Sequence, residues 1–385
     1  MDVKELLKDL MAFPVLGGES NLTILSYIEQ YLQQFDIQVH RVYNEDGTKA
    51  SMHCRIGPPV SGGYILSGHM DVVPVAGQQW NTDPFVLTEK GDKLYGRGSC
   101  DMKGFDASCL AAIPYLVKLD LKKPIYLAFS YDEEIGCLGA PDLVAAINSH
   151  YEEKPQYAII GEPSMMIPTI GQKGICIFET TVNGSAGHSS RIMQEVSAIH
   201  EASRLVIWLE GLMKSLVSKG NVDPRFDPPH TSIHSGVFNG GIAPNVISDE
   251  CTFTWDVRNI PMDSIDDIKQ EFDDHCAIRT AELKSVFPDF KIRTVEHHPA
   301  VPALDTDASD ALVGLLQNLS GNNRTDAVSY AAEAGQFAEG GFTSIICGPG
   351  DIAQAHRADE FISIDQLNQG EAMIRNLGDY LSRDK

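Results

Sequence analysis

Three apolar runs in this chain end in residue types that bind cations. Tyr64-Ile65-Leu66 leads into Ser67-Gly68-His69-Met70-Asp71, the run Pro124 to Tyr131 into Asp132-Glu133-Glu134, and Tyr157 to Ile160 into Gly161-Glu162-Pro163. A fourth run, Ser344-Ile345-Ile346, leads through Gly348-Pro349-Gly350 to His356, and the stretch GRGSCDMKG sets Asp101 in a glycine-rich turn ahead of a helix. Imidazole nitrogen with carboxylate oxygen is a ligand set for divalent metal, Zn²⁺ included, and catalytic sites keep one position open for water. Two histidines with three or four carboxylates exceed what one catalytic zinc needs. The surplus predicts two ions, bridged by a carboxylate and roughly 3.5–4 Å apart, able to activate a water near neutral pH.

Each residue taken singly has a plainer explanation. A lone buried histidine is more often hydrogen-bonded than metal-bound, and a Glu-Glu pair is usually a solvated turn. Glu133-Glu134, however, sits between an apolar strand and Ile135-Gly136, an awkward place for two charges without cations. The joint pattern is therefore more specific than its parts. Cys100, beside Asp101, reads as a packed thiol, His297-His298 as surface, and His230 and His234 as having no shared helix face. HExxH, GxSxG and GxxxxGK[ST] are absent, which leaves zincin, α/β-hydrolase and P-loop readings unsupported.

Short apolar strands alternating with helices predict an α/β catalytic domain, its largely parallel sheet covered by helices. In such sheets the site lies beyond the carboxyl ends of the strands. Helices are predicted over 3–12, about 21–34 with Asn21 as N-cap, 138–147, and about 103–119, where Pro114 should kink or break the helix. The middle differs. Residues 176–183 (CIFETTVN) and 250–257 (ECTFTWDV) alternate apolar and polar as half-buried strands do. Helices over 191–217 and 263–285, a loop over 221–232 and a strand over 287–295 complete an α+β pattern. Residues 176–295 thus read as an insert between two parts of a catalytic domain, 1–175 and 296–385. The length of 385 residues fits two domains.

The chain has 30 Lys+Arg against 53 Asp+Glu, a net charge of −23. That excludes nucleic acid and anionic membrane surfaces as expected partners. No run approaches the ~18 apolar residues of a membrane span, and MDVKELLKDLMAF lacks the apolar core of a secretory signal. Eight scattered cysteines without a CxxC pair predict reduced thiols and a cytoplasmic protein.

The stretches SGHMDVVPV, GRGSCDMKGF, SYDEEIGCLGAPD, IIGEPS and CGPGDIAQAHRADEFISIDQL resemble, in order, the signatures of a di-zinc amidohydrolase and peptidase family. That family contains acetylornithine deacetylase, succinyl-diaminopimelate desuccinylase, aminoacylase and carboxypeptidase G. The resemblance covers nearly the whole chain, and AAEAGQFAEGGF with AHRADEF is most similar to the acetylornithine branch. Met70 departs from the more usual Thr at a position that is not a ligand. The resemblance implies two Zn²⁺ per chain, with Co²⁺ able to substitute. His69 and Glu162 would bind one ion, Glu134 and His356 the other, and Asp101 would bridge them. Asp71 would orient His69, Glu133 would be the general base, and the Asp101–Met102 peptide would be cis. The insert would be a dimerisation (lid) domain. In it His188, reaching a homodimer partner's site, and Asn245 and Arg258 would hold the substrate's carboxylate and the oxyanion.

From its chemistry alone Arg258 is a plausible bidentate carboxylate clamp, or else a strand-end salt bridge. Glu333 could face a substrate ammonium, or lie on a helix surface. Three functions stay open. The first is removal of acetate from N2-acetylornithine in arginine biosynthesis. The second is hydrolysis of another acylamino acid or dipeptide. The third is a non-catalytic metal-stabilised binding protein, disfavoured because Glu133 is one carboxylate more than a structural site needs.

Overall fold

The computed structural model describes residues 1–383, which divide into two compact units. Unit one comprises residues 1–171, 304–327 and 332 onward; unit two comprises 172–303 and 328–331. Unit two is therefore a little longer than the 176–295 segment. Its flanks are tied in by the Ile175–Val301 bridge and by Gly174 N–H donating to the Asn259 carbonyl at 3.0 Å.

Unit one is built on a sheet whose four central strands run parallel, in the order Ile125–Ser130, Tyr64–His69, Tyr157–Pro163, Thr343–Gly348. Tyr64 pairs with both Ile125 and Tyr157, and Tyr157 with Thr343. This register brings the carboxyl ends, and the polar residues following them, to one edge. Every residue of Tyr64–His69 and Ile125–Ser130 is buried, as expected where helices cover both faces. Antiparallel strands Ala50–Ile56 and Val39–Tyr43 extend one side of the sheet, and Thr169–Gln172 pairs antiparallel on the other. Neither of the first two was expected from sequence; nor were the helices Ala311–Ser320 and Ile364–Leu381.

Two local expectations are narrowed. Asn21 stands at the N-cap position of helix Leu22–Gln33 but makes no capping bond. Its buried side-chain amide instead donates to the Ala50 carbonyl at 2.7 Å and accepts from the Ala50 N–H at 3.0 Å, stitching helix to strand. Pro114 does not break its helix, which runs from Lys103 to Leu116. Proline lacks the N–H that would bond the carbonyl four residues back. That carbonyl, of Leu110, accepts the Tyr31 hydroxyl at 3.2 Å instead.

Unit two has an antiparallel sheet in the order Ser232–Gly240, Glu250–Arg258, Cys176–Asn183, Lys291–Glu296. Burial alternates along Cys176–Asn183 and Glu250–Arg258, and the buried face packs on helices Ala198–Ser218 and Ile265–Leu283. Trp255 anchors this core, stacked on Phe178 at 4.4 Å with its indole N–H satisfied by Thr180 Oγ1 at 3.0 Å. Among the described residues no helix is long and apolar enough to cross a membrane. All eight cysteines are buried and unpaired to one another.

Candidate metal centre

His69 closes its strand and Glu162 lies one residue from the end of the neighbouring one. Each follows a glycine for a steric reason. A Cβ on Gly68 would lie 2.1 Å from Asp106 Oδ1, and one on Gly161 2.0 Å from the Phe105 ring. Helix Lys103–Leu116 can thus lie directly against the two strands, with Asp101 just ahead of its first turn. The Asp101–Met102 peptide is cis.

Asp101 spans the two histidines. Its Oδ1 lies 3.1 Å from His69 Nε2 and its Oδ2 3.3 Å from His356 Nε2. Glu162 Oε1 is 3.7 Å from His69 Nε2, and Glu134 Oε2 is 3.0 Å from His356 Nε2. Glu133 Oε2 stands farther out, 4.0 Å from His69 Nε2. Unit one therefore brings together His69, Asp101, Glu133, Glu134, Glu162 and His356.

Asp71 meets His69 through its main chain and not, as expected, through its carboxylate: His69 Nδ1 is 2.9 Å from the Asp71 carbonyl, while the nearer carboxylate oxygen is 3.7 Å away. A carbonyl can only accept, so Nδ1 carries the proton in the neutral ring, and the Nε2 lone pair faces Asp101 and Glu162. The Asp71 carboxylate accepts instead from the N–H groups of Glu133 at 3.1 Å and Glu134 at 3.2 Å, fixing the turn that carries both. Asp132, the first acid of that turn, points away, accepting from Gly18 N–H at 2.8 Å and pairing with Lys49. Cys100 is a packed thiol directed to the Asp351 carbonyl at 3.3 Å.

These side chains fit metal ions. The donor atoms of His69, Glu133 and Glu162, and those of His69, Asp101 and Glu134, lie within 4.8 Å of one another. Glu134 Oε1 is buried with no hydrogen-bond partner. A lone pair aimed at carboxylates, together with a buried carboxylate oxygen lacking a donor, calls for a cation. Protonation tells the same story. Burial alone would lower the His69 imidazole, but Asp101, Glu133, Glu162 and Asp71 raise it well above its ordinary value. Hydrogen bonds to Asp101 and Glu134 lift His356 to about 10. Burial, then Asp101, lifts Glu134 to about 7, and burial raises Glu133 and Glu162 well above the carboxylate range. Asp101 alone is held low, because the bonds from His356 and His69 outweigh its burial. Without cations the cluster must hold protons; ions entering it displace them.

Glu333 is buried in unit one, not on a helix surface. Its Oε2 accepts the Ser67 hydroxyl at 3.5 Å, and burial pushes it up to about 7. Asp106 was missed by sequence reasoning. It is a buried carboxyl under the His69 strand with neither oxygen hydrogen-bonded. An aspartate in the otherwise apolar run FDASCLAAI was the available signal.

His188, Asn245 and Arg258 lie in unit two. Strand Gly187–His188 pairs with Val246–Ile247, and Ser189 N–H donates to the Asn245 carbonyl at 3.0 Å, so His188 and Asn245 share one exposed corner. His188 Nδ1 meets the Ser190 hydroxyl at 2.8 Å and accepts the Ser190 N–H at 3.3 Å. The neutral ring's proton therefore sits on Nε2, facing outward as a donor. Arg258 Nε is 3.7 Å from Asp256 Oδ2, the strand-end ion pair, which leaves the guanidinium partly exposed.

The model of peptidase family M20/M25/M40 matches residues 65–378. The chain belongs to that family. It is a metal-dependent hydrolase of amide bonds. The acetylornithine deacetylase of Myxococcus xanthus is 34% identical over 375 residues, 96% of this chain and 94% of that one. That of Aliivibrio salmonicida (strain LFI1238) is 32% identical over 350 residues, 91% and 89% of the two chains. A dinuclear metal-binding M20 peptidase from Bacillus subtilis shares the fold, with a TM-score of 0.66 at 14% identity, over 98% of this chain and 96% of that one.

Proposed function

We propose that this M20 enzyme removes the acetyl group from N2-acetylornithine, giving ornithine and acetate. The observation that carries the chemistry is Asp101 set between His69 and His356, with Glu133 close by but farther from His69 than Asp101 and Glu162 are. The resemblance to acetylornithine deacetylases along nine-tenths of both chains supports the substrate.

In this reading His69 and Glu162 would hold one ion and Glu134 and His356 a second, with Asp101 the carboxylate shared between the two sites. Zn²⁺ suits the nitrogen and oxygen donors, and Co²⁺ should replace it. Bound ions polarise the acyl carbonyl and lower the pKa of water. Glu133, buried but not needed as a ligand, takes the proton of the attacking water. Water oxygen bonds to the acyl carbon, the C–N bond breaks, and Glu133 returns the proton to the leaving amine. Asp71 holds Glu133 in place through its backbone N–H. Glu333 balances the ornithine ammonium. His188, with its outward Nε2–H, stabilises the oxyanion in a partner chain of a homodimer, while Asn245 and Arg258 bind the substrate carboxylate. The unpaired cysteines suit a cytoplasmic setting.

A panel of acylamino acids tests the substrate. The kcat/KM for N2-acetylornithine should exceed those for N-succinyl-diaminopimelate and N-acetylmethionine. The last should still turn over, since a pocket for a flexible chain discriminates modestly. A clear preference for the succinyl substrate would refute the proposal.

A further inference from the structure

The two halves of the centre are supported very differently. His69 and Glu162 stand on central strands held by neighbours on both sides. His356 stands on a loop, with φ at 62° and a side chain 58% exposed. Among the bonds that hold that loop is a buried ion pair, Arg97–Glu360. Arg97 Nη1 donates to Glu360 Oε2 at 2.6 Å, and both side chains are essentially inaccessible to solvent, at 1% and 0%.

The two ends of this pair reach different loops. Glu360 Oε1 accepts the N–H of Cys100 at 2.9 Å and of Asp101 at 3.1 Å. Arg97 reaches the Arg357 carbonyl at 3.3 Å through Nη1 and Gln78 Oε1 at 2.7 Å through Nη2. Gln78 in turn donates Nε2–H to the His356 carbonyl at 2.8 Å. One guanidinium thus fixes two successive carbonyls after the His356 Cα, that of Arg357 directly and that of His356 through Gln78, and one carboxylate fixes the backbone of Asp101. A buried pair costs desolvation that apolar residues of the same volume avoid. Packing alone therefore gives no reason for it, whereas simultaneous placement of two ligand loops does.

We propose that Arg97 and Glu360 are positioning residues. Arg97 sets the affinity of the ion held by Glu134 and His356, and Glu360 sets that of both ions through Asp101. The proposal rests on the two-ion reading above. Lysine at position 97 keeps a cation beside Glu360 but cannot also reach the Arg357 carbonyl and Gln78, because it lacks the planar fork.

The test is Zn²⁺ titration of metal-free protein against a chromophoric chelator, with thermal unfolding alongside. Arg97→Lys should still unfold in a single cooperative transition, at a modestly lowered Tm, and bind the first ion normally. Its second ion should bind roughly 10–100-fold more weakly, the usual cost of losing a group that orients a ligand. Glu360→Gln should weaken both ions. Added Zn²⁺ should restore activity to Arg97→Lys. Unchanged isotherms in either variant would overturn the proposal, as would equal weakening of both ions in Arg97→Lys. If Arg97→Lys fails to fold, Glu360→Gln decides by the same criterion. Wild-type protein that takes up only one ion would overturn the two-ion reading, and the proposal with it. That outcome is read from the wild type alone and cannot be confused with the others.

Discussion

Glu133 and Glu134 are adjacent, both buried or nearly so, and identical in chemistry; their surroundings separate them. Glu134 Oε2 touches His356, and its other oxygen lacks a donor. Glu133 Oε1 is met by the Cys137 thiol at 3.3 Å, and its Oε2 lies 4.0 Å from His69 Nε2, farther than the oxygens of Asp101 and Glu162. Glu133→Gln should therefore keep its metal and lose on the order of 10²–10⁴ in kcat, the span of a general base. Glu134→Gln should lose metal first. Elemental analysis of both variants beside their kcat values checks this, and the reverse pattern would exchange the two roles. The site's acids and histidines were legible in sequence because all but Asp101 follow an apolar run, and Asp101 stands in a glycine-rich turn ahead of a helix. The partner of His69 Nδ1 was not, because a main-chain carbonyl has no residue type. Asp106, Arg97 and Glu360 escaped for a related reason: their part depends on contacts across the fold.

At the scale of elements, helix Lys103–Leu116 matters most, since it seats Asp101 at its amino end and passes through Pro114. Periodicity located this helix but could not show that the carbonyl left unpaired by Pro114 finds the Tyr31 hydroxyl, 79 residues away in sequence. Tyr31→Phe should destabilise unit one by about 1–3 kcal/mol, the cost of an unsatisfied buried carbonyl. In a Pro114→Ala background the new N–H can take over that carbonyl, so Tyr31→Phe should then cost less. Urea unfolding of the four proteins gives the coupling, and additive effects would show that the hydroxyl does not serve the proline gap. The alternating strands of unit two were legible because one face is buried. Val39–Tyr43 was not, because it has no fully buried residue and so no sharp period. Ser232–Gly240 is likewise mostly exposed, and only its first residue, Ser232, falls within the stretch read as loop.

At the scale of the whole molecule, composition and the order of motifs revealed two units and a metal-dependent hydrolase. Assembly depends on surfaces, which composition does not encode. If His188 serves a partner's site, His188→Ala should bind two ions yet be nearly inactive, losing roughly 10²–10³ in kcat. Mixing it with inactive Glu133→Gln chains should restore activity, because one site in each mixed dimer would have both groups intact. Mixed dimers that form and stay inactive would rule out the exchange.

The central claim is a two-ion centre joined by Asp101, and the most direct measurement is activity against metal content. Metal-free protein titrated with Zn²⁺ should bind two ions per chain, with full amide hydrolysis reached only as the second enters, and Asp101→Ala should weaken both. An enzyme fully active with one ion bound, and accepting no second at saturating metal, would contradict the account.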